Sequence, residues 1–337
     1  MLYVTTRNDQ NPVTTQHVLQ GSRDEDGGLY LPFRFPVLTP EHRKSLAAMH
    51  FNQRIAAILN LFFSTKLTSW DVDFAVGRYP VRLESLGHRV VMAECWHNPD
   101  WSVQRLADNL TKLVAAESSE QGSWMEIAIR IAILAASLCE QEVFQGGSVD
   151  VAVISGEFTW PISLWYARKM GLPVGNIVCC RNENKQLWEL ICHGQLRTDS
   201  VSISTIVPEA DVPVPVNLER LIYDCGGREQ VERYLHACRN GMTYCVEEDF
   251  LRELRKGLYV SVVSSSRIRS AIPNVYNSHS YLLNPESALA YCGLLDYRVK
   301  TGATGQAMVV CDKSPVCAVE TVADAMGISV EEMKRMI

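Results

Sequence analysis

The eleven cysteines of this 337-residue chain include no Cys-x-x-Cys pair, so the spacing that marks a structural zinc site is missing. They are also too sparse for a disulfide scaffold. Cys139, Cys179, Cys180 and Cys311 sit in apolar runs and read as reduced, buried thiols. Positive charge is in deficit: the formal net charge is -6, which argues against nucleic acid as a partner. No apolar run reaches membrane length. The most apolar stretch, Trp124 to Cys139, is short for a span and carries Glu126 and Arg130. Met1 to Arg7 lacks an apolar signal core. The expectation is a cytoplasmic globular protein with no membrane contact and a sizeable core.

The most informative stretch runs from Val149 to Gly194. Val149 to Ile154 is a short β-branched run, typical of a buried parallel strand. Ser155-Gly156-Glu157-Phe158 follows as a tight turn. Pro161 then opens a helix that ends at Gly171, with Pro173 just beyond. A second strand over Asn176 to Cys180 and a second helix over Asn182 to His193 complete a β-α-β crossover unit. Ligands of such sheets lie beyond the carboxyl ends of the strands, facing helix amino termini. A phosphate-binding turn there needs glycines and free N–H groups. This turn has a single glycine, and Glu157 sets negative charge beside it. At about 4 Å in an effective dielectric of about 20, that repulsion is about 4 kcal/mol.

The rest reads as α/β throughout. Leu2 to Thr5 is expected to be an edge strand, and Thr39-Pro40-Glu41 caps a helix. Helices are expected at 41–50, 52–63, 69–76, 102–116 and 124–139, and strands at 90–94, 259–263 and 306–311. Further helices are expected at 217–225, 228–239, 247–256, 285–300 and 315–326. The division expected is a helical amino-terminal segment, 1–85, packed with an α/β core of 86–337 as one globular unit.

Several stretches, in order, resemble the threonine synthase family. They are Tyr3 to Arg7 with Asp26-Gly27-Gly28-Leu29-Tyr30-Leu31-Pro32, and Glu94-Cys95-Trp96-His97-Asn98-Pro99, which is similar to "ELFHGPT". Ser155-Gly156-Glu157-Phe158 with Ala167 to Pro173 is similar to "SGNFGN…AKKMGLPI", and Asn182-Glu183-Asn184 to "ATNEND". Asp211-Val212 with Asn217-Leu218-Glu219-Arg220 resembles "MDI…SNFER". The fold this implies is the fold-type II pyridoxal-phosphate enzyme sheet, three layers with helices on both faces.

The resemblance also implies working parts, and four of them depart from the family pattern. Gln104 occupies the position of the Schiff-base lysine of "GPTLAFKD", and an amide nitrogen is not a nucleophile. Lys112 lies eight residues on, about 12 Å along a helix. The phosphate turn reads Gly156-Glu157-Phe158-Thr159-Trp160, and Asp312 stands where the family places a hydroxyl near the pyridine nitrogen. Glu117 to Gly122 joins two helices directly where the family carries a mobile substrate-grasping lobe with "TSGDTG", so that lobe is expected to be largely deleted. The resulting expectation is a non-catalytic relative, without a bound cofactor, whose cleft takes a small ligand or serves regulation. The ligand-contact candidates are His97, Gln104, Ser155, Gly156, Glu157, Phe158, Thr159, Asn182 and Asp312, although Ser155 and Asn182 are equally suited to capping helices. Two alternatives stay open. One is a different chemistry, with Glu157, Asp312 and His97 as acid–base groups and Cys311 or Cys317 as a thiol. The other is an active enzyme making threonine from O-phosphohomoserine, with another lysine taking over. Trp96, Trp101, Trp124 and Trp160 cluster around the expected gap, which suggests an aromatic surface covered by a second copy or another partner chain.

Overall fold

A computed structural model describes residues 1–77, 81–96, 103–114, 122–141 and 147–337, with the side chains of 103–107 set aside. The chain starts with β1 (Leu2–Thr5), β2 (Val13–Thr14), α1 (Thr15–Leu19) and β3 (Tyr30–Pro32), then the helices α2 (Pro40–Ala48), α3 (Phe51–Phe63) and α4 (Ser69–Val76). It continues through β4 (Arg82–Ser85), β5 (Val90–Glu94), α5 (Val103–Leu113), α6 (Trp124–Cys139), β6 (Val149–Ile154), α7 (Thr159–Lys169) and β7 (Val174–Arg181). Next come α8 (Gln186–His193), β8 (Gln195–Arg197), α9 (Leu218–Arg239), β9 (Thr243–Cys245), α10 (Glu248–Leu254) and β10 (Leu258–Val262). The chain closes with α11 (Ser265–His279), α12 (Pro285–Thr301), β11 (Ala307–Cys311), α13 (Val319–Met326) and α14 (Val330–Met336).

The central sheet runs β10-β7-β6-β11-β5-β4, with five parallel strands and β4 antiparallel at one edge. Alternation along the strands sends side chains to two cores. Val151, Val153, Ile177, Cys179, Met308 and Val310 join the core built with α3, α6 and α7. Ala152, Val178, Cys180, Val309 and Cys311 face the opposite core with α11, α12 and α13. Burial on both faces explains why these strands read as continuous apolar runs. The resulting α/β three-layer architecture is the fold class expected from the sequence. Among the described residues no helix is long and apolar enough to cross a membrane.

Several expectations are corrected. Leu2–Thr5 is the middle strand of a small antiparallel sheet, β2-β1-β3, because both of its edges are paired. The helix expected from Asn182 starts at Gln186, since the asparagines before it bond a neighbouring loop instead. The two helices expected over 217–239 are one span kinked at Gly227, whose φ of 69° leaves the helical region. Sequence reading passed over α11 and α14: α14 buries only Met333, whereas α11 has an apolar face of Ile268, Ala271, Ile272 and Val275 set among serines, arginines and a proline. The linker expected at Glu117 to Gly122 lies outside the described residues except for Gly122, but residues 114–123 are all that separate α5 from α6.

Two buried groups join the amino-terminal elements to the core. The Arg220 guanidinium is fully buried. It donates to the Tyr30 carbonyl at 2.8 and 3.0 Å, to the Gly122 carbonyl at 2.9 Å and to the Asn217 side chain. Burial lowers it to about 10, yet three elements meet on its donors. Trp124, also fully buried, meets Tyr3, Phe35, Phe62 and Tyr166 with ring centroids 5.4–6.1 Å apart. Trp124→Ala is expected to cost about 3–5 kcal/mol in urea unfolding followed by circular dichroism. A loss below about 1 kcal/mol would mean that this aromatic cluster is not the joint between the two parts.

Candidate functional site

The carboxyl ends of β6 and β11 and the residues after them open onto a cavity of about 270 Å³. Its shape starts with the turn after β6. Gly156 takes φ +27°, and a Cβ there would meet the Glu209 carbonyl oxygen at 2.8 Å, so only glycine fits. Phe158 takes the left-handed φ of 64° and caps α7 from a buried position. The helix thereby starts at Thr159, before Pro161, whose missing N–H costs nothing in a first turn.

The turn is fastened to the segment before α9. A Glu157 carboxylate oxygen accepts the Val216 N–H at 2.9 Å, and the Glu157 carbonyl accepts the Asn217 N–H at 3.1 Å. The Thr159 hydroxyl accepts from the Asn217 side chain at 3.1 Å. Behind it lies Arg181, which is fully buried and donates to the Asn184 and Val212 carbonyls. Burial lowers it to about 10, against the pull of Asp211 and Glu157.

Charged groups dominate the rest of the lining. Arg130 and Glu126 form a buried i,i+4 pair at 3.1 Å on α6. The Arg130 guanidinium lies 5.6 Å from the centre of the Trp160 ring, and its Nε has no hydrogen-bond partner. The Trp160 indole N–H donates to both Asp312 carboxylate oxygens, at 2.7 and 2.9 Å. Burial lifts the Asp312 carboxyl above its usual range, although Arg130 and the indole N–H pull it back. Lys313 lies between Glu286, at 3.0 Å, and Glu209. Burial pulls Lys313 down, but these two carboxylates outweigh it and hold the ammonium above its usual range. One cation does not neutralise both partners. Burial, with Glu209 beside it, pushes Glu286 up to about 8, while the bond to Lys313 offsets burial and holds Glu209 low.

Of the candidates read from the sequence, Ser155, Gly156, Glu157, Thr159 and Asp312 are brought together around this cavity. Ser155 caps no helix: its hydroxyl and N–H both bond the Cys180 carbonyl at 3.1 Å. Phe158 belongs to the core. Asn182 is elsewhere, fully buried, with its amide nitrogen donating to Thr205 at 2.8 Å and Asp211 at 2.6 Å. It clamps the 203–212 loop and neither caps a helix nor faces the cavity. His97 lies outside the described residues, and so does the Gln104 side chain, although Gln104 is on α5. The aromatic surface expected around the gap is corrected as well. Trp124 and Trp160 are buried and Trp96 is partly buried, because each packs inward, and Trp101 lies outside the described residues. Sequence reading missed Arg130, Glu209, Glu286 and Lys313. For Arg130 the signal was there: a charged pair at i,i+4 within the most apolar helix.

Comparison with known proteins shows what the chain is similar to. Residues 2–78 match the family model described as threonine synthase N terminus. Threonine synthase of Pseudomonas aeruginosa is 31% identical over 144 residues, covering 42% of this chain and 30% of that protein. Human threonine synthase-like 1 is 27% identical over 150 residues, covering 43% of this chain and 20% of that protein. These alignments span a third or less of either relative. The structure of pyridoxal-phosphate-bound threonine synthase from Brucella melitensis superposes with a TM-score of 0.86 at 18% identity, covering 97% of this chain and 92% of that one. The yeast enzyme gives 0.84 at 15% identity, covering 99% and 93%. The resemblance read from the sequence therefore stands, and the fold is that of threonine synthases.

The expectation of no cofactor is corrected by the Brucella structure, in which a threonine synthase of this fold is bound to pyridoxal phosphate. The residues of the turn fit its phosphate poorly. Glu157 occupies the Val216 N–H with its own carboxylate, and the Glu209 carbonyl closes on Gly156.

The Glu209–Lys313–Glu286 triad makes stability depend on pH with a defined sign. A carboxyl raised in the folded chain binds more protons than in the unfolded one between about 4.5 and its folded value. Its contribution therefore falls as pH rises from 4.5 towards 8. Lys313→Met strands two carboxylates and is expected to deepen that fall, so its loss of stability in urea should be larger at pH 8 than at pH 5. An equal loss at both pH values contradicts the assignment.

Proposed function

From a threonine-synthase-like fold whose cleft carries this charge pattern, we propose a binding or regulatory protein without threonine-forming activity. The observation that supports it best is the state of the amine in the cleft. Gln104 holds the sequence position of the family's lysine, and among the described residues Lys313 is the lysine that lines the cavity. Lys313 is ion-paired to two carboxylates and kept protonated, and a protonated amine is not a nucleophile. A phosphate group at the turn would meet Glu157, where the family pattern has an asparagine between glycine and phenylalanine. What the cleft retains is the means to bind: a formed cavity, several convergent polar groups and perturbed carboxyls.

The test is direct. The purified chain, incubated with pyridoxal phosphate and O-phosphohomoserine, should release no inorganic phosphate above the protein-free blank. Turnover that survives repurification, and disappears in a Lys313→Met variant shown by circular dichroism to be folded, would identify Lys313 as a working amine and defeat the reading.

A further inference from the structure

Pairing the charges of the cavity one by one leaves a remainder. Glu126 is matched by Arg130, and Glu209 with Glu286 share Lys313. Glu157 holds the Val216 N–H with Arg181 buried behind it. Asp312 is left. Among the described residues no cation lies within ion-pair distance of it, and its hydrogen-bond donor is the Trp160 indole. This half-buried carboxylate lines the cavity.

A second, independent group is also incomplete. Arg130 is 6% exposed and lines the same cavity, and its Nε meets no acceptor. A buried donor without a partner costs about 1–3 kcal/mol, and an acceptor on a bound molecule would remove that cost. The two groups ask for opposite things of one ligand: a positive charge for Asp312 and an oxygen acceptor for Arg130. No metal is indicated, since among the described residues no group of three His, Cys, Asp or Glu side chains is placed to hold one. Counting Glu286 as protonated, the lining still carries more negative than positive groups, which disfavours an anion such as a phosphate ester.

We infer that the cavity binds a small organic monocation, a primary ammonium with a neutral oxygen acceptor a few bonds away, the ammonium on Asp312 and the oxygen on Arg130. This inference rests on the reading of the cleft as a binding site and names its ligand class. Asp312 supplies the charge. Arg130, held in place by Glu126, selects for the oxygen.

Ethanolamine serves as the probe, with n-propylammonium lacking the oxygen and inorganic phosphate as the anion, each titrated by calorimetry into the full chain at low salt. Ethanolamine should bind one to one, at least fivefold tighter than n-propylammonium, and should weaken as salt rises. Asp312→Asn keeps an acceptor for the Trp160 indole and should lose at least tenfold, with an unchanged circular dichroism spectrum. Arg130→Met should abolish the preference for ethanolamine over n-propylammonium; if that variant does not fold, the preference in the parent chain decides alone. Tighter binding of phosphate, equal binding of the two amines, an unaffected Asp312→Asn or no binding at all each overturns the proposal. Turnover of O-phosphohomoserine would defeat the functional reading while leaving the amine titrations to stand or fall separately.

Discussion

Glu157 lies across the turn that leads into α7 and ties it to the segment before α9 by a side-chain bond to Val216 and a main-chain bond to Asn217. Much of the cleft follows from that clasp. It holds Thr159 against the Asn217 amide, and Asn217 in turn receives the Arg220 guanidinium that gathers Tyr30 and Gly122. A turn of this kind in an α/β sheet ordinarily leaves its N–H groups and the helix dipole to an outside anion. Here the chain supplies the anion itself. The carboxylate is part of the chain and already hydrogen-bonded, so a second anion at the turn would meet repulsion where the fold ordinarily offers attraction.

The same logic extends across the cavity. Its carboxylates are each engaged by a group of the chain: Glu126 by Arg130, Glu209 and Glu286 by Lys313, Asp312 by Trp160. A pair buried as far as Glu126–Arg130 contributes little net stability, because desolvation offsets its attraction. Their effect is specificity of arrangement. Removing one partner strands the other, so the groups constrain one another, and the chemistry of the cleft is set by the set of them together.

Much of the fold was legible in the sequence because it is written in apolar periodicity. The β-branched run Val149–Ile154 and the uninterrupted helix Trp124–Cys139 appear in the structure with the bounds that their patterns indicate. Where polar residues do structural work, the sequence misled. Asn182 and Asn184 look like the start of a helix, yet their amides bond Asp211, Thr205 and the Ile203 carbonyl, partners about twenty to thirty residues away that no local pattern reveals. The four tryptophans suggested a surface, but Trp124 and Trp160 are buried and Trp96 packs partly buried against the core, because an indole's area rewards burial whenever a partner ring or acceptor is within reach. At the site, the turn and Asp312 could be found by motif. Arg130 was marked by its i,i+4 partner Glu126, but Lys313 was not, since its role arises only when the residue after β11 meets Glu209 and Glu286 from distant parts of the chain.

The eleven thiols, unremarked in the cleft, have a practical consequence. Cys95, Cys179, Cys180, Cys292 and Cys311 are buried, and burial holds each above the usual thiol range, whereas Cys245 and Cys317 are exposed. A thiolate-seeking reagent therefore finds two ready targets in the folded chain and many more once it opens. The number of groups alkylated becomes a gauge of foldedness. Cys317, four residues beyond Lys313, is also a natural anchor for a fluorophore that reports on the mouth of the cleft without altering its lining charges.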